Sequence, residues 1–214
     1  MDPSDDYVGS TIGGRQMRPD DFQWIDKETG IWTLEVETIK KRHRFDHILV
    51  GAIGSMYRNN IPKEAADLGC GPGWYCRALT GFGWPVVWGY EGTPKIKSLG
   101  IYPDIIEMDL SKRQKNYIIY DVVISLEVGE HIPVKHEQTF IDNVVKFTGK
   151  DLILSWAIPG QNGTGHFNLR DNEYVEEQFE KQGLEYDPTK SEWLREHCFY
   201  DWFKNTLMVF RRVE

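Results

Sequence analysis

The chain has 214 residues, 40% of them hydrophobic, and its 33 acidic and 25 basic side chains give a net charge of −8 with the histidines neutral. That length suits one α/β domain with a full core, and no low-complexity tract points to disorder. The acidic balance argues against nucleic acid as a partner, and no apolar run approaches the length of a membrane span.

In chain order, residues 1–33 read as an N-terminal arm or lid. The stretch is polar to about Gly30 and carries Gly13-Gly14 and Pro19. From Leu34 to Tyr57, apolar residues recur at helical spacing: Val36, Ile39, Phe45, Ile48, Leu49, Ala52, Ile53 and Met56. This predicts one long helix with a break near Gly51. The basic run Lys40-Lys41-Arg42-His43-Arg44 reads as that helix's solvated face. Strands are then expected at 64–68, 86–90, 105–107, 121–125, 152–156 and 206–210, with helices at 75–79, 94–99, 136–147 and 172–182 and a long loop at 159–170. Strand–helix alternation with apolar strands implies a mostly parallel, Rossmann-like sheet covered on both faces. No linker or repeat divides it, so 1–214 is expected to be a single domain.

The segment Asp67-Leu68-Gly69-Cys70-Gly71-Pro72-Gly73 ends one strand and begins a helix. Glycines there let the backbone turn sharply and lie against a ligand. Their every-second-residue spacing differs from the dinucleotide fingerprint, which aims amides at a pyrophosphate. Glu91 follows the second of these strands, where an acid takes ribose hydroxyls. Asp109 follows the third, where an acid can accept from an adenine amino group while Leu110 packs on the ring.

From about Pro62 through Trp156, with residues 206–210 as the usual last strand, the chain resembles the class I S-adenosylmethionine (SAM) dependent methyltransferases. The resemblance implies a seven-stranded sheet and SAM as cofactor. It assigns Asp67, Gly69, Gly71, Gly73, Glu91, Asp109 and Leu110 to binding, with Leu126 flanking the cofactor. SAM's ammonium and sulfonium charges suit the Asp67 carboxylate.

After the fourth strand comes Glu127-Val128-Gly129-Glu130-His131. Residues 127, 130 and 131 would lie on one side of a helical turn and offer oxygen and nitrogen ligands for Mg²⁺ or Mn²⁺. Gly163-Thr164-Gly165-His166, in the loop after the fifth strand, offers a fourth ligand at the same sheet edge. The segment resembles the metal-dependent small-RNA 3′-end 2′-O-methyltransferases and the ubiquinone-pathway O-methyltransferases, which act on vicinal diols. By position, Glu127, Glu130, His131 and His166 would hold the cation. In a metal-free enzyme, His131 or His166 would be the general base, and Glu130 and His131 would orient the turn. His43, His47, His136 and His197 read as structural or solvated.

The acceptor side is expected from the arm with Trp24 and Trp32, the loop 159–170 and the segment from Trp193 to Trp202; Trp32 and Trp193 could equally be core. Aromatics beside polar groups suit a small molecule or a sugar. A loose resemblance of Ser155 to Gln161 and the histidine loop to algal-virus and glycan-cluster methyltransferases favours a glycan hydroxyl. Cys70, Cys76 and Cys198 lack metal-site spacing and fit a reducing compartment. The acidic start lacks a signal peptide's basic and apolar regions. A cytoplasmic protein is expected, and an oligomer stays open.

Overall fold

The computed structural model describes residues 24–213 and the two-residue strands β1 (Thr11–Ile12) and β2 (Arg15–Gln16), which pair antiparallel. Gly13, Gly14 and Pro19 of the expected arm lie outside the described residues. Seven further strands form one sheet: β3 (Ala65–Leu68), β4 (Val87–Glu91), β5 (Ile105–Glu107), β6 (Tyr120–Leu126), β7 (Thr148–Ser155), β8 (Leu184–Tyr186) and β9 (Leu207–Arg212). Their order is β5-β4-β3-β6-β7-β9-β8. Strands β3 to β7 run parallel, and β9 is antiparallel to both of its neighbours. The expected Rossmann-like architecture is present.

Side chains alternate across the sheet as strand geometry requires. Val122, Ile124, Ile153 and Val209 face one core, while Val123, Leu152, Leu154 and Phe210 face the other. The first core is closed by helices α1 (Val36–Arg42), α2 (His47–Met56), α3 (Trp74–Gly81), α6 (Pro188–Glu196) and α7 (Asp201–Thr206), through residues such as Ile39, Ile53, Leu79, Leu194 and Phe203. The second is closed by α4 (Glu137–Phe147) and α5 (Asn172–Glu180), through Phe140, Val144 and Phe179. Each such aliphatic or aromatic side chain contributes about 1.5–3 kcal/mol by leaving water.

Two expectations need correction. The helix expected over 34–57 is two helices, broken at residues 43–46 and continuous through Gly51. Asp46 makes the break. Its carboxylate, fully buried, caps α2 by accepting from the N–H groups of Ile48 (3.0 Å) and Leu49 (2.9 Å). It also accepts from Phe199 (2.7 Å) and Tyr200 (3.1 Å), more than 150 residues away in sequence. The apolar periodicity carries across the break because both helices pack on one face of the sheet. Secondly, β8, α6 and α7 fill 184–206, where only an acceptor-side segment was expected. Asp187, which accepts from the Lys190 N–H (2.9 Å), followed by Pro188, is a helix-start signal that could have placed α6. Among the described residues, no helix is long and apolar enough to cross a membrane.

Candidate active site

The parallel strands deliver their carboxyl ends to one edge, and between β3 and β6 the strand order reverses. Ligands bind at such a point in open α/β sheets. A cleft of about 560 Å³ lies there, lined by Asp67 of β3, Glu91 of β4, Asp109 and Leu110 beyond β5, and Leu126 and Glu127 at the end of β6. This is the size of a site for a small ligand.

Asp67 lies at the floor of one half, 3% exposed. Burial lifts its carboxyl to about 7, and the neighbouring Glu91 charge adds to that, while a contact from the Cys76 thiol (3.7 Å) opposes it. Glu91 is also buried. One of its oxygens accepts from the Gly71 N–H and the other from the Thr93 N–H, both at 2.8 Å, which ties strand β4 to the glycine turn. Asp109 accepts from the Ser111 N–H (3.0 Å) and hydroxyl (2.6 Å) and pairs with Lys112 at 3.0 Å. Both Ser111 bonds go to Oδ1, so Oδ2, held only by Lys112, keeps a further lone pair for a ligand. Leu110, 5% exposed, and Met108 supply an apolar wall.

The three glycines of the turn differ in role. Gly69 lines the cleft. A Cβ on Gly71 would stand 2.1 Å from His43 Nε2, so only glycine lets that imidazole lie on the turn. Gly73 sits behind, packed against Tyr102 and Ile105, and serves the turn's geometry. Gly71 and Gly73, expected at the cofactor, thus act one layer away from the open cleft.

The other half is built from the turn after β6 and the loop after β7. The carbonyl of Glu130 accepts from the N–H groups of Phe167 (2.8 Å) and Asn168 (3.0 Å), and Trp156 Nε1–H donates to the Asn168 carbonyl at 2.6 Å. These bonds bring His166 beside the single 3-10 turn Gly129–His131. Glu130, His131 and His166 each present a ligand atom, all within 4.8 Å of one another. Glu130 is fully buried, and neither of its carboxylate oxygens has a partner; His166 Nδ1 is also buried and unpartnered. Native proteins leave few such atoms; the Ala157 and Gln161 backbones lie close enough to act on Glu130 and His166 without forming well-aligned hydrogen bonds.

Burial lifts the Glu130 carboxyl well above its ordinary range, and the Glu127 charge pushes the same way. Burial lowers His131 to about 3, helped by the nearby His166, and lowers His166 itself to about 4. Both imidazoles are therefore neutral at physiological pH. His131 Nδ1 lies 3.0 Å from the Gly165 carbonyl. Donating there fixes the tautomer and leaves Nε2 as a lone-pair donor.

Glu127 departs from its expected place. It precedes the turn with φ of 54°, so 127, 130 and 131 do not share a helical face. Its N–H donates to the Ser155 hydroxyl (2.8 Å), and one carboxylate oxygen accepts from Gln161 at 2.5 Å. It lines the cleft but is outside the three-residue cluster.

The N-terminal arm forms a wall of this half. Ile25 and Trp32 bridge across the turn at 26–30. A Cβ at Gly30, where φ is 80°, would fall 2.0 Å from the His131 carbonyl oxygen. The Trp32 ring meets the His131 ring edge-on at 5.7 Å between centroids. Trp32 thus lines the cleft while also packing on the first core, whereas Trp193 packs on that core and stacks on His197 without lining the cleft. Trp202 and Phe203 of α7 line the far side. The basic run is largely exposed, as expected, and its surface borders the cleft: Lys41, Arg42, His43 and Arg44 all line it. Lys41 and Arg42 reach it from the last turn of α1, and His43 and Arg44 from the break at 43–46, whose local signal is Asp46 before an apolar run.

No protein-family model matches the chain, and no curated protein matches it. Several solved structures share the fold. A sugar N-methyltransferase from Streptoalloteichus superposes with a TM-score of 0.64 at 13% identity, over 83% of this chain and 92% of that one. The magnesium protoporphyrin IX methyltransferase of Synechocystis, with bound SAH (S-adenosylhomocysteine), gives 0.56 at 17% identity, over 77% and 81%. The methyltransferase domain of bacterial CtHen1 gives 0.55 at 17% identity, over 84% and 100%. At these identities the likeness is one of fold.

Proposed function

We propose that this protein is a SAM-dependent O-methyltransferase that uses a divalent cation, Mg²⁺ or Mn²⁺, to methylate a vicinal diol on a sugar or glycan. The cofactor part rests on the three acids at the ends of β3, β4 and β5. Asp67 would take the cationic methionyl end, Glu91 the ribose hydroxyls and Asp109 the adenine amino group, with Leu110 and Leu126 as apolar flanks. Solved neighbours of the same fold carry SAM or SAH, which supports the reading.

One observation carries the cation: Glu130, fully buried with both oxygens unpartnered, stands within 4.8 Å of two neutral imidazoles. The donor set of one carboxylate and two imidazoles fits a divalent ion, and Glu127 is available as a fourth ligand from the same cleft. A cation held there would lower the pKa of a bound hydroxyl and so supply the nucleophile that an alkyl alcohol lacks. Trp32 and Trp202 would orient a ring over the site. The alternative, His131 or His166 as a base without a cation, is favoured by the free Nε2 of His131 but opposed by pKa values of about 3 and about 4, far below the range useful for proton abstraction at neutral pH.

The test is transfer of a labelled methyl group from SAM to ribose held as its methyl furanoside, with the matching 2-deoxyribose furanoside as the acceptor lacking one hydroxyl of the diol. Transfer to ribose should be abolished by a chelator, restored by Mn²⁺, and weak with the deoxy sugar. Full activity in chelator would refute the cation.

A further inference from the structure

Three cations of the basic run, Lys41, Arg42 and Arg44, line the same cleft and are exposed there. Lys41 and Arg42 lie in the last turn of α1, where the helix dipole favours positive charge. That accounts for their sign but not for their place on the cleft, and Arg44 lies beyond the helix end. Among the described residues, neither Lys41 nor Arg44 takes part in an ion pair, and Arg42 lies over the Trp24 ring at 4.1 Å. None of the cleft's acids pairs with these cations. Glu91 is held by the Gly71 and Thr93 amides, Asp109 by Ser111 and Lys112, and Glu127 by Gln161. SAM has one carboxylate, a single negative charge against three cations, so it leaves a positive excess in the cleft.

We propose that the acceptor carries an anionic group, a phosphate monoester, close to the diol that receives the methyl group. The inference rests on the methyl-transfer reading and narrows its acceptor. Guanidinium and ammonium groups together suit the charge and the oxygen fork of a phosphate. A chain of net charge −8 repels an extended polyanion, so a local patch of this kind fits one phosphate on a small molecule. Arg42, stacked on Trp24, is already fixed in orientation, which lowers the entropic cost of engaging that group.

Ribose 5-phosphate and ribose, titrated into protein loaded with SAH and Mn²⁺, test this. The phosphate ester should bind at least roughly tenfold more tightly, as a charge-assisted contact allows. Among the single variants Lys41→Gln, Arg42→Gln and Arg44→Gln, at least two should erode that preference while keeping SAH affinity within about twofold, since the cofactor brings only one carboxylate. Equal binding of the two sugars would overturn the proposal. A preference retained in all three variants would also overturn it, because the metal ion would then be holding the phosphate. Tighter binding of a short single-stranded RNA than of ribose 5-phosphate would overturn it in favour of a polyanionic partner. If the wild-type protein binds no SAH, the methyl-transfer reading itself falls, and this one with it.

Discussion

Replacing Glu130 with glutamine is expected to cut methyl transfer at least roughly a hundredfold, the scale of several kcal/mol attributed to a catalytic cation, while SAH affinity stays near wild type. Glutamine keeps the shape of the side chain and removes its charge, so the fold has no reason to fail. Stability gives a second, independent readout. The folded-state pKa of Glu130 is raised, so its contribution is fully present below the ordinary value of 4.5 and is lost as pH rises through the folded value. At pH 8, without metal, E130Q should therefore unfold at a higher temperature than wild type. Mn²⁺ should narrow the gap: at a hundred times its dissociation constant, a ligand specific to the folded state stabilises by about 2.7 kcal/mol, and E130Q should gain little. A variant that kept both activity and Mn²⁺ stabilisation would show that Glu130 is a buried structural acid.

The second large effect concerns Asp67. Its carboxyl, near 7 in the unliganded protein, must be ionised to face SAM's positive charges. Binding should therefore release close to one proton at pH 6, and affinity should fall by up to about tenfold per pH unit below 7. Titration calorimetry in two buffers of different ionisation enthalpy reads the proton directly. D67N should bind SAM at least roughly tenfold more weakly at pH 8, from the loss of a charged hydrogen bond, and should lose most of the pH dependence. Comparison with D67N also separates the carboxylate from SAM's own titrating amine. The unliganded protein carries the opposite linkage. With the folded pKa raised, the stability tied to this group is complete below 3.8 and is lost as pH rises through about 7, a cost of about 4 kcal/mol at most. D67N should relieve it. Uptake of a proton on binding, or the same pH dependence in D67N, would contradict this assignment.

These two residues also show what a sequence of this kind makes legible. Asp67, Glu91 and Asp109 stand out because each closes an apolar strand, and parallel strands must bring their carboxyl ends to one edge. Glu130 and His131 follow the same logic from β6, and His166 stands out because glycines flank it in a long loop. Glu127 is misread because the helical spacing 127–130–131 assumes ordinary φ, and the residue sits at 54°. The cleft position of His43 and Arg44 is illegible for another reason. It depends on the break at Asp46, which is fixed by the Phe199 and Tyr200 amides from the far end of the chain. Asp46 before an apolar run signals the start of α2, but no local window contains the Phe199 and Tyr200 amides that hold it. Strand β8 is only three residues long, and its pairing with β9 is a tertiary fact.

The most direct measurement is anomalous scattering from a crystal grown with SAH and Mn²⁺. A single ion contacting Glu130, His131 and His166, on the side of the cleft facing the sulfur of SAH, is the result expected. An ordered SAH with no manganese peak among those three side chains, at a concentration that supports full activity, would contradict the cation-assisted reaction.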